Sequence, residues 1–162
     1  MAEEIREIDA DEEDTQRGKY LTFYLGSEEY GIEISLVTEI IGIQPITEVP
    51  EVPDYIKGII NLRGKIIPVM DVRLRFRKPF LDYNDRTCVI VIESRQIMLG
   101  LIVDGVTEVL EIGDENIVPP PEIKSSQNKY IKGIGKAGGA VKLLLDCDKI
   151  FNEEDEEKLA NL

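Results

Sequence analysis

The chain has 162 residues, 43% of them hydrophobic and 31% charged, which is a globular composition with enough apolar mass for a core. Its 32 acids against 19 bases leave a net charge of −13, which opposes binding to a phosphate backbone. Histidine is absent, so the Ser-His-Asp triad, the Cys-His pair and every histidine-ligated metal site are excluded.

Taken in chain order, the elements are short strands. Residues 19–25 place Leu21, Phe23 and Leu25 on one face, the period of two of a half-buried strand. Gly26-Ser27-Glu28 is a turn, and 29–34 returns as a second strand. Residues 37–43 are apolar and β-branched, and Pro45, Pro50 and Pro53 then mark a loop. Strands over 55–62 and 65–69 flank a tight turn at Arg63-Gly64, and Pro68 suggests an edge, because proline donates no ladder bond. Residues 87–92 and 97–103 pair around a turn at 93–96, and 107–112 follows. Residues 113–129, with Pro119-Pro120-Pro121, read as a loop; 130–134 and 140–145 are the last strands, and a short helix follows them. Many short strands joined by turns imply small barrels or a sandwich.

The charge is uneven. Residues 1–18 hold eight acids and two bases, 146–162 hold seven acids and two bases, and 19–145 is close to neutral. The first 18 residues, poor in apolar side chains, are expected to be a disordered acidic tail, and 152–162 the acidic end of the C-terminal helix. One basic run breaks the pattern: Arg63, Lys65, Arg73, Arg75, Arg77 and Lys78, opposed only by Asp71. It fits a solvated strand edge guarded against aggregation or a patch for an acidic protein partner. An RNA-associated SH3-like module is the alternative function this run allows, against the net charge.

The chain also repeats itself. Residues 31–40, GIEISLVTEI, align with 100–109, GLIVDGVTEV, at an offset of 69. Residues 55–71 align with 130–146 at an offset of 75, with Tyr-Ile-Lys-Gly-Ile identical, Gly64 matching Gly139 and Asp71 matching Asp146. Two blocks in the same order indicate two copies of one unit of about five strands, each marginal alone at about 70 residues. They should pack over a shared apolar face. Arg63 has Gly138 as its counterpart, so the fold does not require an arginine there, which points toward a partner.

No catalytic constellation emerges. Gly133-Ile134-Gly135 and Gly138-Gly139 lack the Lys-Ser/Thr of a phosphate-binding loop. Asp71 and Asp146 end strands, where a carboxylate bonds nearby backbone. Cys88 sits in an apolar strand, and Cys147 lies between Asp146 and Asp148, which raise a thiol pKa. The cysteines, 59 positions apart, are expected as free thiols in a reducing cytosol. No apolar run approaches the ~18 residues of a membrane span. Met1-Ala2-Glu3-Glu4 does not open a signal peptide.

The motifs GSEEYGI at 26–32, VTEI at 37–40, KGIINLRGKIIPVMD at 57–71, LDYNDRTCVIVI at 81–92, GLIVDGV at 100–106 and PPPEI at 119–123 together resemble the CheW-like family of bacterial chemotaxis coupling proteins. The resemblance covers about 18–151. It implies an all-β fold with a short C-terminal helix, in which two five-stranded SH3-like barrels, interleaved or in tandem, pack together across 19–151. It implies a non-enzymatic, cytoplasmic adaptor without cofactors, nucleic acid or membrane insertion, recruited to membrane-associated receptor arrays. Its partners would be the regulatory domain of the histidine kinase CheA and the cytoplasmic tips of chemoreceptors. Carried over by motif, Val37, Glu39, Ile40 and Arg63 would meet the kinase. Ile34, Ile66 and Cys88 would line a receptor groove between the barrels, and Glu122 and Ile123 would make a ring-closing contact.

Overall fold

Paired strands with one buried face build the molecule; a computed structural model describes residues 16–121 and 128–152. The elements are β1 (Lys19–Leu25), β2 (Glu28–Glu33), β3 (Val37–Gly42), β4 (Ile56–Leu62), β5 (Lys65–Asp71), α1 (Val72–Arg75), β6 (Cys88–Ser94), β7 (Ile97–Val103), β8 (Gly105–Glu111), β9 (Ile117–Val118), β10 (Ile131–Ala137), β11 (Ala140–Leu145) and α2 (Cys147–Ile150). They form two sheets, in the orders β3-β6-β7-β5-β4 and β8-β1-β2-β11-β10-β9. We call these the first and second barrels.

The repeat explains both orders. At the two offsets β3, β4 and β5 correspond to β8, β10 and β11, while β6 and β7 correspond to β1 and β2. The first barrel therefore takes β3, β4 and β5 from one copy and β6 and β7 from the other, and the second takes β1 and β2 from one copy and β8, β9, β10 and β11 from the other. The copies have exchanged their first hairpins, so neither barrel can form from one half of the chain. Each parallel pair recurs in register: Val69 faces Gly100, and Leu144 faces Gly31. Closure recurs too, since Thr47 bridges Ile59 on β4 as Val118 pairs Ile134 on β10. β4 and β10 each carry a bulge, before Gly58 and Gly133. At Gly58 (φ 146°) a Cβ would lie 2.1 Å from the Thr47 carbonyl oxygen, so the closing strand requires glycine there. Asp71 and Asp146 cap α1 and α2 by accepting from Leu74 N (3.3 Å) and Asp148 N (3.1 Å).

The largest core lies between the barrels. It joins Leu21, Phe23, Tyr30 and Ile32 of the second barrel to Met70, Ile90 and Leu101 of the first. An aromatic file runs through it, Phe23–Tyr30–Phe76–Tyr130, with ring centroids 5.6, 5.5 and 5.3 Å apart. The barrel interiors are smaller. Ile60, Ile67, Val69, Val89 and Val91 fill the first, and Tyr20, Ile112 and Leu144 the second.

Three local expectations are corrected. Pro68 lies on β5, an interior strand, not an edge. It opposes Ile59, whose N–H and C=O both turn to Thr47, so Pro68 nitrogen faces away from β4; pairing with β7 starts only at Val69. Ile34 belongs to a 3-10 turn, Ile34–Leu36, rather than to β2. The 113–129 loop holds β9, whose two residues close the second barrel. Of the acidic ends expected over 1–18 and 152–162, residues 1–15 and 153–162 lie outside the described residues, whereas Gly18 is held in place, its carbonyl accepting from Ile112 N at 2.8 Å.

Candidate functional site

The basic run does not survive as a patch. Arg73 grips Asp104 with two bonds, Nε to Oδ1 at 2.7 Å and Nη2 to Oδ2 at 2.5 Å. Asp104 Oδ2 also accepts Gly26 N at 2.7 Å, tying the β1–β2 turn of one barrel to α1 of the other. Burial raises the Asp104 pKa, but the Arg73 and Gly26 bonds outweigh it and hold the carboxyl below its ordinary value. Arg75 lies on α1, 4.3 Å from the Tyr55 ring centroid and 5.1 Å from that of Tyr130, and its Nε donates to the Ile150 carbonyl at 2.8 Å. Lys78 pairs with Glu28 at 2.7 Å, and Glu28 accepts the Tyr30 hydroxyl at 2.9 Å. Arg63 pairs with Glu39. With four of the six bases bonded within the chain, the run supports neither a bare strand edge nor an RNA surface.

The proposed kinase-facing residues come together on the first barrel. Val37, Glu39 and Ile40 lie on β3, the edge strand beside β6, and Arg63 stands at the β4–β5 turn. Val37 leans on the inter-barrel core, whereas Ile40 is 42% exposed. The Arg63 guanidinium reaches Glu39 across the barrel surface and stays 69% exposed. Arg63 and Gly64 have φ of 51° and 87°, as a two-residue hairpin turn requires, and Gly138 and Gly139 repeat this with 57° and 79°. Arginine in the left-handed region costs about 1 kcal/mol that glycine avoids. The first copy carries that cost for a side chain the turn does not need.

The proposed receptor residues are more scattered. Ile34 and Cys88 both pack against the inter-barrel core, but at opposite ends of β6: Val37 pairs Ile92, and Cys88 pairs Gly42. The Cys88 thiol donates to the Arg86 carbonyl at 3.3 Å. Ile66, 60% exposed, lies three residues before Val69 and so at the Ile34 end of the barrel. Glu122 and Ile123 lie outside the described residues. The Cys147 thiol is pushed up to about 12, chiefly by burial and only secondarily by Asp146 and Asp148, and it is inert for that reason.

The motif-by-motif carry-over missed two residues. Val109 (50% exposed) is the counterpart of Ile40, and Val141 (55% exposed) that of Ile66. The large apolar residues left exposed on the barrel strands thus occur as repeat-related pairs, one set per barrel. The signal was in the two offsets, which align Ile40 with Val109 and Ile66 with Val141. Among the described residues no group of three or more Asp, Glu or Cys converges as a metal site, and no helix is long and apolar enough to cross a membrane.

Two interlocked barrels with matching exposed apolar positions define a class of protein that works by docking. The sequence profile of the CheW-like domain matches residues 19–155, and the chain belongs to that family. It is 40% identical over 138 residues to the chemotaxis protein CheW of Klebsiella aerogenes, covering 85% of this chain and 83% of that one. It is 34% identical over 147 residues to CheW of Treponema pallidum, covering 88% and 86%. The crystal structure of the scaffolding protein TtCheW from Thermoanaerobacter tengcongensis superposes with a TM-score of 0.79 at 36% identity, covering 85% of this chain and 94% of that one. The protein is therefore a non-catalytic chemotaxis scaffold.

Proposed function

We propose that this scaffold couples the cytoplasmic tips of chemoreceptors to the regulatory domain of the kinase CheA, and that it is recruited in this way to membrane-associated arrays. One observation carries the proposal: the first barrel leaves two large apolar side chains exposed on strands that are not neighbours, Ile40 on β3 and Ile66 on β5. A linker in an array needs two docking faces on one rigid body, and modest contacts at each are strengthened by multivalency. The kinase would meet Val37, Glu39, Ile40 and Arg63, where an apolar strand edge lies beside an exposed guanidinium suited to a carboxylate. The receptor helix would take the Ile34–Ile66 end of the first barrel and the seam at Cys88, a helix-in-groove mode. Glu122 and Ile123 would serve a ring contact. Calorimetric titration with a kinase regulatory domain and with a receptor cytoplasmic fragment tests this. Binding of both, separately and together, is expected; failure to bind either one refutes the coupling role.

A further inference from the structure

Of the basic run, Arg77 makes no side-chain bond among the described residues, and the fold gives it neighbours that lie far off in sequence. A cleft of about 590 Å³ opens at the barrel junction, lined by Tyr55, Arg77 and Pro79 from the first copy and by Lys129 and Tyr130 from the second. Lys129 also borders a smaller hollow of about 260 Å³, beside Lys149. Arg77, Lys129 and Lys149 are all exposed, with no carboxylate partner among the described residues. Asp54 is the one acid among the described residues that line the larger cleft. Asp148, beside the smaller hollow, is taken up by Ser94 at 2.6 Å and Arg95 at 3.7 Å. Arg77 holds its place at φ 59°, where its counterpart at the offset of 75 is Asn152, a residue that enters the left-handed region more readily.

An apolar rim adjoins these bases. Pro79 lines the cleft, and the next two residues, Phe80 and Leu81, are 48% and 46% exposed. The Phe80 ring is held from two sides, by Lys57 Nζ at 5.0 Å from its centroid and by the edge-on ring of Tyr83 at 5.4 Å. A fixed aromatic ring half open to water beside a leucine is apolar area that a partner would cover.

We propose that this surface docks an acidic peptide segment of a partner protein, with its carboxylates on Arg77, Lys129 and Lys149 and a large apolar side chain on Phe80 and Leu81. Charge and shape together select a peptide. Residues 19–145 hold 17 acids against 15 bases, so the folded body is close to neutral. Charges act over about 8 Å in physiological salt, so the bases lining the cleft govern a short segment that enters it. A membrane or a nucleic acid is too broad for a concave cleft and must approach against the negative charge of the whole molecule. None of the residues assigned to the kinase or receptor contacts lines either hollow, so the proposal goes beyond the adaptor reading and can fail without it.

Fluorescence anisotropy of the full chain with labelled synthetic peptides of one length tests it. The probes are glutamate interrupted by leucine and phenylalanine, the same peptide with glutamine for every glutamate, and glutamate alone. The first should bind, and the glutamine peptide should bind at least about tenfold more weakly. Affinity for the first should fall about tenfold between ~0.05 M and ~0.5 M salt. Arg77→Gly with Lys129→Gln should weaken the first and the all-glutamate peptide about tenfold. Lys149→Gln repeats the test away from the α1 turn, should Arg77→Gly disturb the fold. Phe80→Ser should weaken only the peptide that carries leucine and phenylalanine. No binding of that peptide at ~1 mM overturns the proposal, as does affinity unchanged by the basic substitutions or by Phe80→Ser. Sedimentation of the chain with phosphatidylserine vesicles, lost in the same basic variants, would give the surface to a lipid and overturn it too.

Discussion

Lys142 and Glu29 offer the sharpest test of the repeat. Lys142 is nearly buried on β11, its side chain 8% exposed, and pairs with Glu29 on β2, which is 36% exposed. Their counterparts in the first barrel, at offsets of 75 and 69, are Ile67 and Met98, which pack in that barrel's apolar cluster. An ion pair in one barrel therefore occupies the place of an apolar contact in the other. Breaking a buried pair by removing one partner costs about 3–5 kcal/mol, whereas replacing both with apolar groups is often neutral or stabilising. Because Glu29 retains partial access to water, we expect Lys142→Ile alone to cost nearer 2 kcal/mol. The double variant Glu29→Met/Lys142→Ile should return to within about 1 kcal/mol of the parent, or exceed it. Urea unfolding followed by circular dichroism measures all four proteins of the cycle. A double variant as unstable as Lys142→Ile alone would show that the barrels are not interchangeable at this layer and would refute the reasoning.

Asp104→Asn removes the charge that Arg73 grips and should cost about 2–3 kcal/mol. The Asp104 pKa is depressed by folding, so the wild-type advantage should be full above pH ~5 and shrink as acid passes the ordinary value of ~3.9. Thermal melts from pH 3 to 7 would contradict this if the gap widened on acidification. Arg63→Gly should leave stability unchanged or raise it by up to about 1 kcal/mol, as turn strain is relieved and only an exposed pair is lost. Kinase-domain affinity should fall by about 1–3 kcal/mol; intact binding with a lowered denaturation midpoint would assign Arg63 to the fold. Ile66→Asp, at a 60% exposed position, should fold normally and weaken receptor-fragment binding at least tenfold, about 1.4 kcal/mol. Equal loss of kinase binding in that folded variant would show that the two surfaces are not separate.

Much of this architecture was legible in the sequence because its signals are local. Hairpins at Arg63-Gly64 and 93–96 rest on turn chemistry and alternation, and both are observed, the second tightened to Arg95-Gln96 with φ of 51° and 67°. Whether the copies interleave or stand in tandem was left open by the sequence, and the exchange of hairpins decides it. Strand pairing is a long-range choice, and alternating patterns are the same whether β1 and β2 join their own copy or the other. Pro68 misled for a related reason: the edge rule concerns one nitrogen, and an interior strand tolerates it where the neighbouring ladder has not yet begun. The basic run misled because charge was counted along the chain. Arg73 and Arg75 fall on α1 and turn to Asp104 and Tyr55, partners 31 and 20 positions away.

Comparing the two copies separates fold from function. Tyr55 and Tyr130, Gly58 and Gly133, and Asp71 and Asp146 perform the same tasks in both barrels: each tyrosine carbonyl accepts from its aspartate N–H, at 2.7 and 2.8 Å, and each aspartate caps a helix. Positions that repeat the same bond in both barrels serve the fold. Arg75 has Ile150 as its counterpart, and the pair meets itself, the Arg75 Nε donating to the Ile150 carbonyl between the two equivalent tyrosines. An arginine at both positions would bring a second positive charge to the junction between the two tyrosines. The difference between the copies at this junction is therefore used within the fold. Arg63 differs in kind: it lies at a barrel end, it bonds Glu39 of its own barrel, and its turn is better served by glycine. The contact that the structure gives Arg63 is an ion pair with Glu39, exposed on the arginine side, which is weak compensation for a strained turn; that imbalance supports the proposal that Arg63, Glu39 and Ile40 face a partner.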